Sequence, residues 1–182
     1  MIGDRANFGR NLSDKLDLYP ESQTSNSNTQ SSPLENIEKL LMRFHSVARQ
    51  IRQRHDERQT LDIDDEYDVQ DLLHGLLKIY FDDIRPEEWT PSYAGGSSRM
   101  DFLLKTEKIV IEAKKTRNKL GAKEIGSQLV DDILRYRSHP DCKTLVCFVY
   151  DPEERILNSK GLEHDLSQPI GELQVKVYVS QK

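Results

Sequence analysis

At 182 residues, with 31% charged and 36% hydrophobic side chains, the chain can form one globular core and hardly two. Its net charge of -5 argues against a protein that coats nucleic acid by bulk electrostatics, because such domains carry a basic excess. No run of about 18 apolar residues is present to span a membrane, and Met1-Ile2-Gly3-Asp4-Arg5 opens no apolar signal segment, so a cytoplasmic protein without a membrane partner is expected.

Residues 1–33 are rich in Ser, Asn, Gln and Thr, above all from Ser22 to Ser32. They offer too little apolar surface to offset ordering entropy and read as a flexible arm or an interdomain linker. A domain over 34–182 follows, with an N-terminal helix over 34–60 and a core over 61–182. Ser32-Pro33-Leu34-Glu35 announces the helix, since Ser caps, Pro suits the first turn and Glu completes a capping box. Leu34, Ile37, Leu40, Leu41, Phe44, Val47, Ala48 and Ile51 then recur at helical spacing and leave an arginine-rich outer face (Arg43, Arg49, Arg52, Arg54, Arg58). That face is either solvated or a phosphate contact.

A second helix is predicted from Glu66 to Phe81 on the stripe Val69, Leu72, Leu73, Leu76, Leu77 and Tyr80. A short edge strand is expected within Glu87 to Tyr93, where Pro91 bars a central position. Met100 to Leu104 and Ile109 to Lys114 read as two strands joined by a tight turn at Lys105-Thr106-Glu107-Lys108. Gly121 to Arg137 reads as a helix with Ile125, Leu129, Ile133 and Tyr136 inward, Leu145 to Tyr150 as a buried strand, and Leu173 to Val179 as a final strand, with an irregular segment between those two. Cys142 and Cys147 support neither a disulfide nor a zinc site.

The chemistry concentrates on the hairpin. A turn centred between Thr106 and Glu107 pairs residues whose numbers sum to 213, which sets Asp101 opposite Glu112. Opposed Cβ atoms lie about 4.5 to 5.5 Å apart, where two carboxylates repel unless a cation intervenes. Lys114 shares their face through the period-two alternation of a strand. The neighbours Phe102, Leu103, Leu104, Ile109, Val110 and Ile111 are apolar, so the acids sit where a partner is needed, and a divalent ion such as Mg²⁺ supplies it. Alternatively, Asp101 merely pairs with Arg99 or Lys114. Around the hairpin, Arg99 to Lys119 holds seven basic residues against three acidic ones, a local charge of +4. Arg99 is suited to clamp a phosphate or to pair with an acid; Lys115, Arg117 and Lys119 suit phosphate contact or a solvated loop.

Asp101, ten intervening residues and then Glu112-Ala113-Lys114, flanked by an acidic helix before and a helix and strand after, resemble the PD-(D/E)XK nuclease superfamily. Asp68-Val69-Gln70-Asp71-Leu72-Leu73, Gly96-Ser97-Ser98-Arg99-Met100-Asp101-Phe102, Gln128 to Tyr136 and Val149-Tyr150-Asp151-Pro152 are similar to the restriction-endonuclease-like domains of bacterial defence proteins. Met100 stands where the family has proline, a position that supplies no ligand. The resemblance implies an α/β fold, a mixed sheet flanked by helices, with the N-terminal amphipathic helix as an addition. It implies Mg²⁺, with Mn²⁺ as substitute, held by Asp101, Glu112 and the Ala113 carbonyl. Lys114 would orient or help deprotonate the attacking water and stabilise the transition state. A further acid would come from the preceding helix, Glu66 first and Asp68 second, the alternative being that both serve the helix N-terminus. Gln128 resembles the family's helix glutamine near the site. The implied activity is hydrolysis of DNA by an endonuclease of a restriction or anti-phage system. The implied partners are DNA, a second copy of the chain and a fused or separate sensor module. A catalytically inactive nucleic-acid-binding module and an RNA-directed nuclease are the alternatives.

Overall fold

The computed structural model describes residues 31–88 and 99–182. The expected arm up to residue 30, the Gly95-Gly96-Ser97-Ser98 loop and most of the strand expected within Glu87 to Tyr93 lie outside these residues. Glu87 and Glu88, which are described, form no strand.

Helix α1 (Pro33–Arg52) starts as its sequence dictates: the Ser32 hydroxyl accepts from the Glu35 N–H, and the Glu35 carboxylate accepts from the Ser32 N–H. It stops at Arg52, well short of 60, because no apolar residue follows from Gln53 to Thr60. A helix needs a face to bury, and this stretch has none. A short 3₁₀ turn (His55–Glu57) occupies the place instead. Helix α2 (Glu66–Leu77) likewise ends before the expected Phe81. The chain turns at Lys78 to Tyr80, leaves Tyr80 exposed rather than inward, and brings Phe81 and Ile84 into the core.

Five strands follow: β1 (Ile84–Pro86), β2 (Phe102–Leu104), β3 (Ile109–Lys115), β4 (Thr144–Tyr150) and β5 (Gln174–Ser180). They lie in the order β1-β2-β3-β4-β5. The first three are antiparallel, and β3, β4 and β5 are parallel. Between the parallel strands run the crossover helices α3 (Ala122–Tyr136) and α4 (Ser159–Leu166). The edge strand β1 precedes the expected one; Pro86 is tolerated as its last residue because an edge strand leaves one side unpaired.

The sheet is buried on both faces, which explains why β3 and β4 read as almost continuous apolar runs. On one face Ile37, Leu41 and Phe44 of α1 and Val69, Leu73 and Leu77 of α2 pack against Ile111, Ala113, Val146 and Phe148. On the other, Ile125, Leu129, Ile133 and Tyr136 of α3 pack against Leu103, Val110, Cys147 and Val149. The mixed sheet flanked by four helices is the expected α/β restriction-endonuclease-like architecture.

Candidate active site

The β2–β3 register pairs Phe102 with Ile111, Leu103 with Val110 and Leu104 with Ile109, so opposed numbers sum to 213 as the turn predicts. Asp101 lies one residue before β2. Its Oδ2 accepts from the Ala113 N–H at 2.7 Å, which locks the carboxylate across the end of the hairpin. Alternation turns Glu112 and Lys114 of β3 toward α3, the face on which Val110 is buried. There the Lys114 ammonium lies 3.4 Å from Glu112 Oε2, 3.4 Å from Asp132 Oδ2 and 3.8 Å from Glu66 Oε1. Glu66 arrives from the first turn of α2 and Asp132 from the inner face of α3. The Tyr136 hydroxyl, one turn beyond Asp132, donates to Glu112 Oε1.

Electrostatics follow from crowding four acids around one cation. Burial raises the Glu112 carboxyl well above the usual carboxylate range, and the Asp101 charge adds to it while Lys114 opposes. Asp101 is also raised by burial, against the Ala113 N–H and Lys114. Glu66 rises for the same first reason, opposed by Lys114 and the Lys115 N–H. Burial alone would lower Lys114; the carboxylates of Glu112, Asp132, Glu66 and Asp101 outweigh it and hold the ammonium above its ordinary value. These directions are compatible because Asp101, Glu112 and Glu66 meet other anions as well as Lys114, whereas the groups that shift Lys114 are all anions. Asp132 Oδ2 has no hydrogen bond although it is buried; the Lys114 ammonium lies 3.4 Å from it, while Arg135 pairs with the other oxygen, Oδ1, at 2.8 Å. Among the described residues no three His, Cys, Asp or Glu side chains form a ready-made metal cage.

A family model described as REase_DpnII-MboI matches residues 35–182. The chain belongs to the DpnII-MboI restriction-endonuclease family. Neither the curated proteins nor the solved structures compared with it gave a match. A DpnII-MboI chain is a PD-(D/E)XK-type protein, and membership in a restriction-endonuclease family makes it a DNA-cleaving hydrolase. No helix among the described residues is long and apolar enough to cross a membrane.

In this DpnII-MboI protein the sequence-derived residues divide by position. Asp101, Glu112, Lys114 and Glu66 come together. Asp68 does not join them: its carboxylate accepts from the Asp64 and Asp65 N–H groups and caps α2. Arg117 and Gln128 line a cavity of about 320 Å³ together with Glu66, Lys114 and Asp132. Arg99 pairs with Glu87 at 3.0 Å and lines a neighbouring cavity of about 360 Å³ with Asp101 and Glu66. Lys119 is exposed at a positive φ of 67° and borders neither cavity. Lys115 is buried and projects to the α1 face, away from Lys114. The sequence reading missed Asp132. Its signal was an acid at an inward position of the stripe Ile125, Leu129, Ile133 and Tyr136, where an uncompensated carboxylate is costly.

Proposed function

We propose that this restriction-endonuclease family member hydrolyses DNA phosphodiesters with a bound divalent ion, Mg²⁺ first and Mn²⁺ as substitute, in defence against foreign DNA. The observation that carries the reading is the Lys114 ammonium, with a side chain 12% exposed, set among Glu112, Asp132 and Glu66 at the open end of the hairpin beside Asp101. A structural ion pair needs one carboxylate; this arrangement leaves acid in excess.

The donor chemistry fits a hard cation. Asp101, Glu112 and the Ala113 carbonyl would hold it, and Mg²⁺ requires no more than one or two carboxylates because it keeps waters and takes substrate phosphate oxygens. When bound, the ion supplies Lewis-acid polarisation of the phosphate. The protein's own groups do the rest. The surrounding carboxylates hold the Lys114 ammonium above its ordinary value, which suits it to act as donor and cation toward the attacking water and the developing charge. Tyr136 fixes the rotamer of Glu112. Arg117 and Gln128, which line the cavity around Lys114, would meet the strand, as would Arg99 from its exposed pair with Glu87. Cutting both strands calls for two such sites, so a homodimer on duplex DNA belongs to the proposal.

Plasmid cleavage tests the reading. With Mg²⁺ or Mn²⁺ the protein nicks or linearises plasmid; with chelator it does not. Lys114→Ala keeps its circular dichroism and loses at least about 10²-fold in rate, the loss typical of a preorganised charge-stabilising donor. Undiminished cleavage by that variant overturns the mechanism. Duplex binding without cleavage by the wild type supports an inactive binding module, and preference for RNA over duplex DNA supports the RNA-directed alternative.

A further inference from the structure

On the sheet face opposite Lys114 lies a cavity of about 560 Å³ that the proposed chemistry does not use. Its walls include His45, Arg49 and Arg52 of α1, Lys115 at the end of β3 and Tyr150 at the end of β4. Lys115 is the informative member. It is 7% exposed, and its ammonium meets one acceptor, the Thr116 carbonyl at 3.4 Å. Among the described residues no carboxylate lies within ion-pairing distance of Lys115 or of Arg49. A buried ammonium with so little compensation is costly unless an anion completes the site.

The surrounding charge has the matching sign. Arg49, Arg52, Lys115 and Lys182 line the cavity against the carboxylates of Asp64 and Glu153, and Arg52 already pairs with Asp62 at 3.0 Å. The His45 imidazole, whose Nδ1 is 3.1 Å from the Tyr150 hydroxyl, is held below its ordinary pKa by burial and then by the Arg49 and Lys182 charges. An arginine fork and a point-charge lysine that line one space suit a phosphate. Lys115 also lines the cavity that contains Asp101 and Glu66. One buried cation therefore borders both spaces at the end of β3.

We propose that this cavity is a second phosphate subsite, in which Lys115 and Arg49 hold a backbone phosphate of the DNA flanking the one that is cut. It rests on the DNA-cleaving reading and adds a place where substrate binds without chemistry. The ligand group is a phosphate; a DNA backbone and free phosphate are its two sources.

Fluorescence anisotropy of a labelled duplex, measured with Ca²⁺ over a series of salt concentrations, tests it on the full chain. Arg49→Gln and Lys115→Met are expected to weaken binding by about tenfold each, and to reduce the slope of log K against log salt by about one. Arg43→Gln, on α1 but outside the cavity, changes neither. Should Lys115→Met not fold, the exposed Arg49 decides the matter alone. Unchanged affinity and slope in a folded Arg49→Gln overturn the subsite. Inorganic phosphate separates the sources: if it raises the Tm of wild type and not of Arg49→Gln while all variants bind duplex equally, the cavity takes free phosphate and the backbone assignment is overturned. A wild type that binds no DNA sinks the functional reading and the subsite together; wild-type binding with an unaffected Arg49→Gln sinks the subsite alone.

Discussion

Asp151 follows β4 and is wholly buried, yet it differs from Glu112 in being saturated with donors. Its Oδ1 accepts from the Thr116 hydroxyl at 2.6 Å and the Arg155 N–H at 2.9 Å, and its Oδ2 from the Ile156 N–H and the Gln181 side-chain amide, each at 2.9 Å. Those four bonds tie the exit of β3, the loop after β4 and the residue after β5 to one carboxylate. Asp151→Asn keeps the volume but turns an NH₂ toward two of the donors. At about 1.5 to 3 kcal/mol for each bond to a charged acceptor, the loss of two costs about 3 to 6 kcal/mol, a large part of the 5 to 15 kcal/mol typical of a whole domain. Urea unfolding followed by circular dichroism measures it. Burial alone would raise the Asp151 carboxyl; the Thr116, Ile156, Gln181 and Arg155 donors outweigh it and hold the group below the usual carboxylate range. Its contribution is therefore present above the unfolded value of about 3.9 and lost as pH falls through the lower folded value. The difference between wild type and Asp151→Asn should accordingly shrink in strong acid. A loss below about 1 kcal/mol at pH 7 would refute the hub.

Three further outcomes are expected. Tyr136→Phe leaves the ring in the α3 core but removes the donor to Glu112, so cleavage falls by about 10- to 100-fold, as for other groups that orient a ligand, and Tm falls as well because a buried acceptor loses its partner; equal rates show that Glu112 needs no such fixing. Glu112 and Asp101 have raised folded values, so their contribution to metal-free stability is complete below the unfolded values near 4 and is lost as pH rises through the folded ones. The metal-free Tm should drop from mild acid to alkaline pH, Mg²⁺ should restore it most at the alkaline end, and Glu112→Gln should flatten the profile. A flat wild-type profile contradicts the crowding of acids. Burial pushes the Cys142 thiol up to about 12 and Cys147 well above its ordinary value, so neither reacts with a thiol reagent before unfolding; stoichiometric labelling of native protein is the contrary result.

What the sequence made legible depended on short-range rules with few alternatives. The turn at Lys105 to Lys108 fixes the register of a hairpin, so the placement of Asp101 against the Glu112 strand follows from counting. Helix α4 escaped notice because it offers Leu162 and Leu166 as its only large apolar residues and carries Gly161 in its first turn, too little periodicity to mark a helix. Its cap at Asn158, which accepts from the Gly161 N–H, was the readable sign. Lys115 shares a basic run with Arg117 and Lys119 in sequence, but the period of two that aims Lys114 at α3 sends Lys115 to the other face.

Asp132 shows a different limit. Beside Asp131 it looks like the charged back of an amphipathic helix, and only its place between Leu129 and Ile133 says otherwise. The distinction between the two kinds of buried acid is then one of supply. Asp151 has a donor for every lone pair it needs and holds the fold. Glu112, Asp101 and Asp132 share a single lysine, a tyrosine hydroxyl, one backbone N–H and the Arg135 guanidinium. Charge left unmatched inside a fold is a standing cost, and proteins tolerate that cost where a ligand or a reaction offsets it. On the proposed reading the deficit around Lys114 is the physical counterpart of the family's activity: stability given up at the end of the hairpin would become affinity for the cation and the phosphate that complete it.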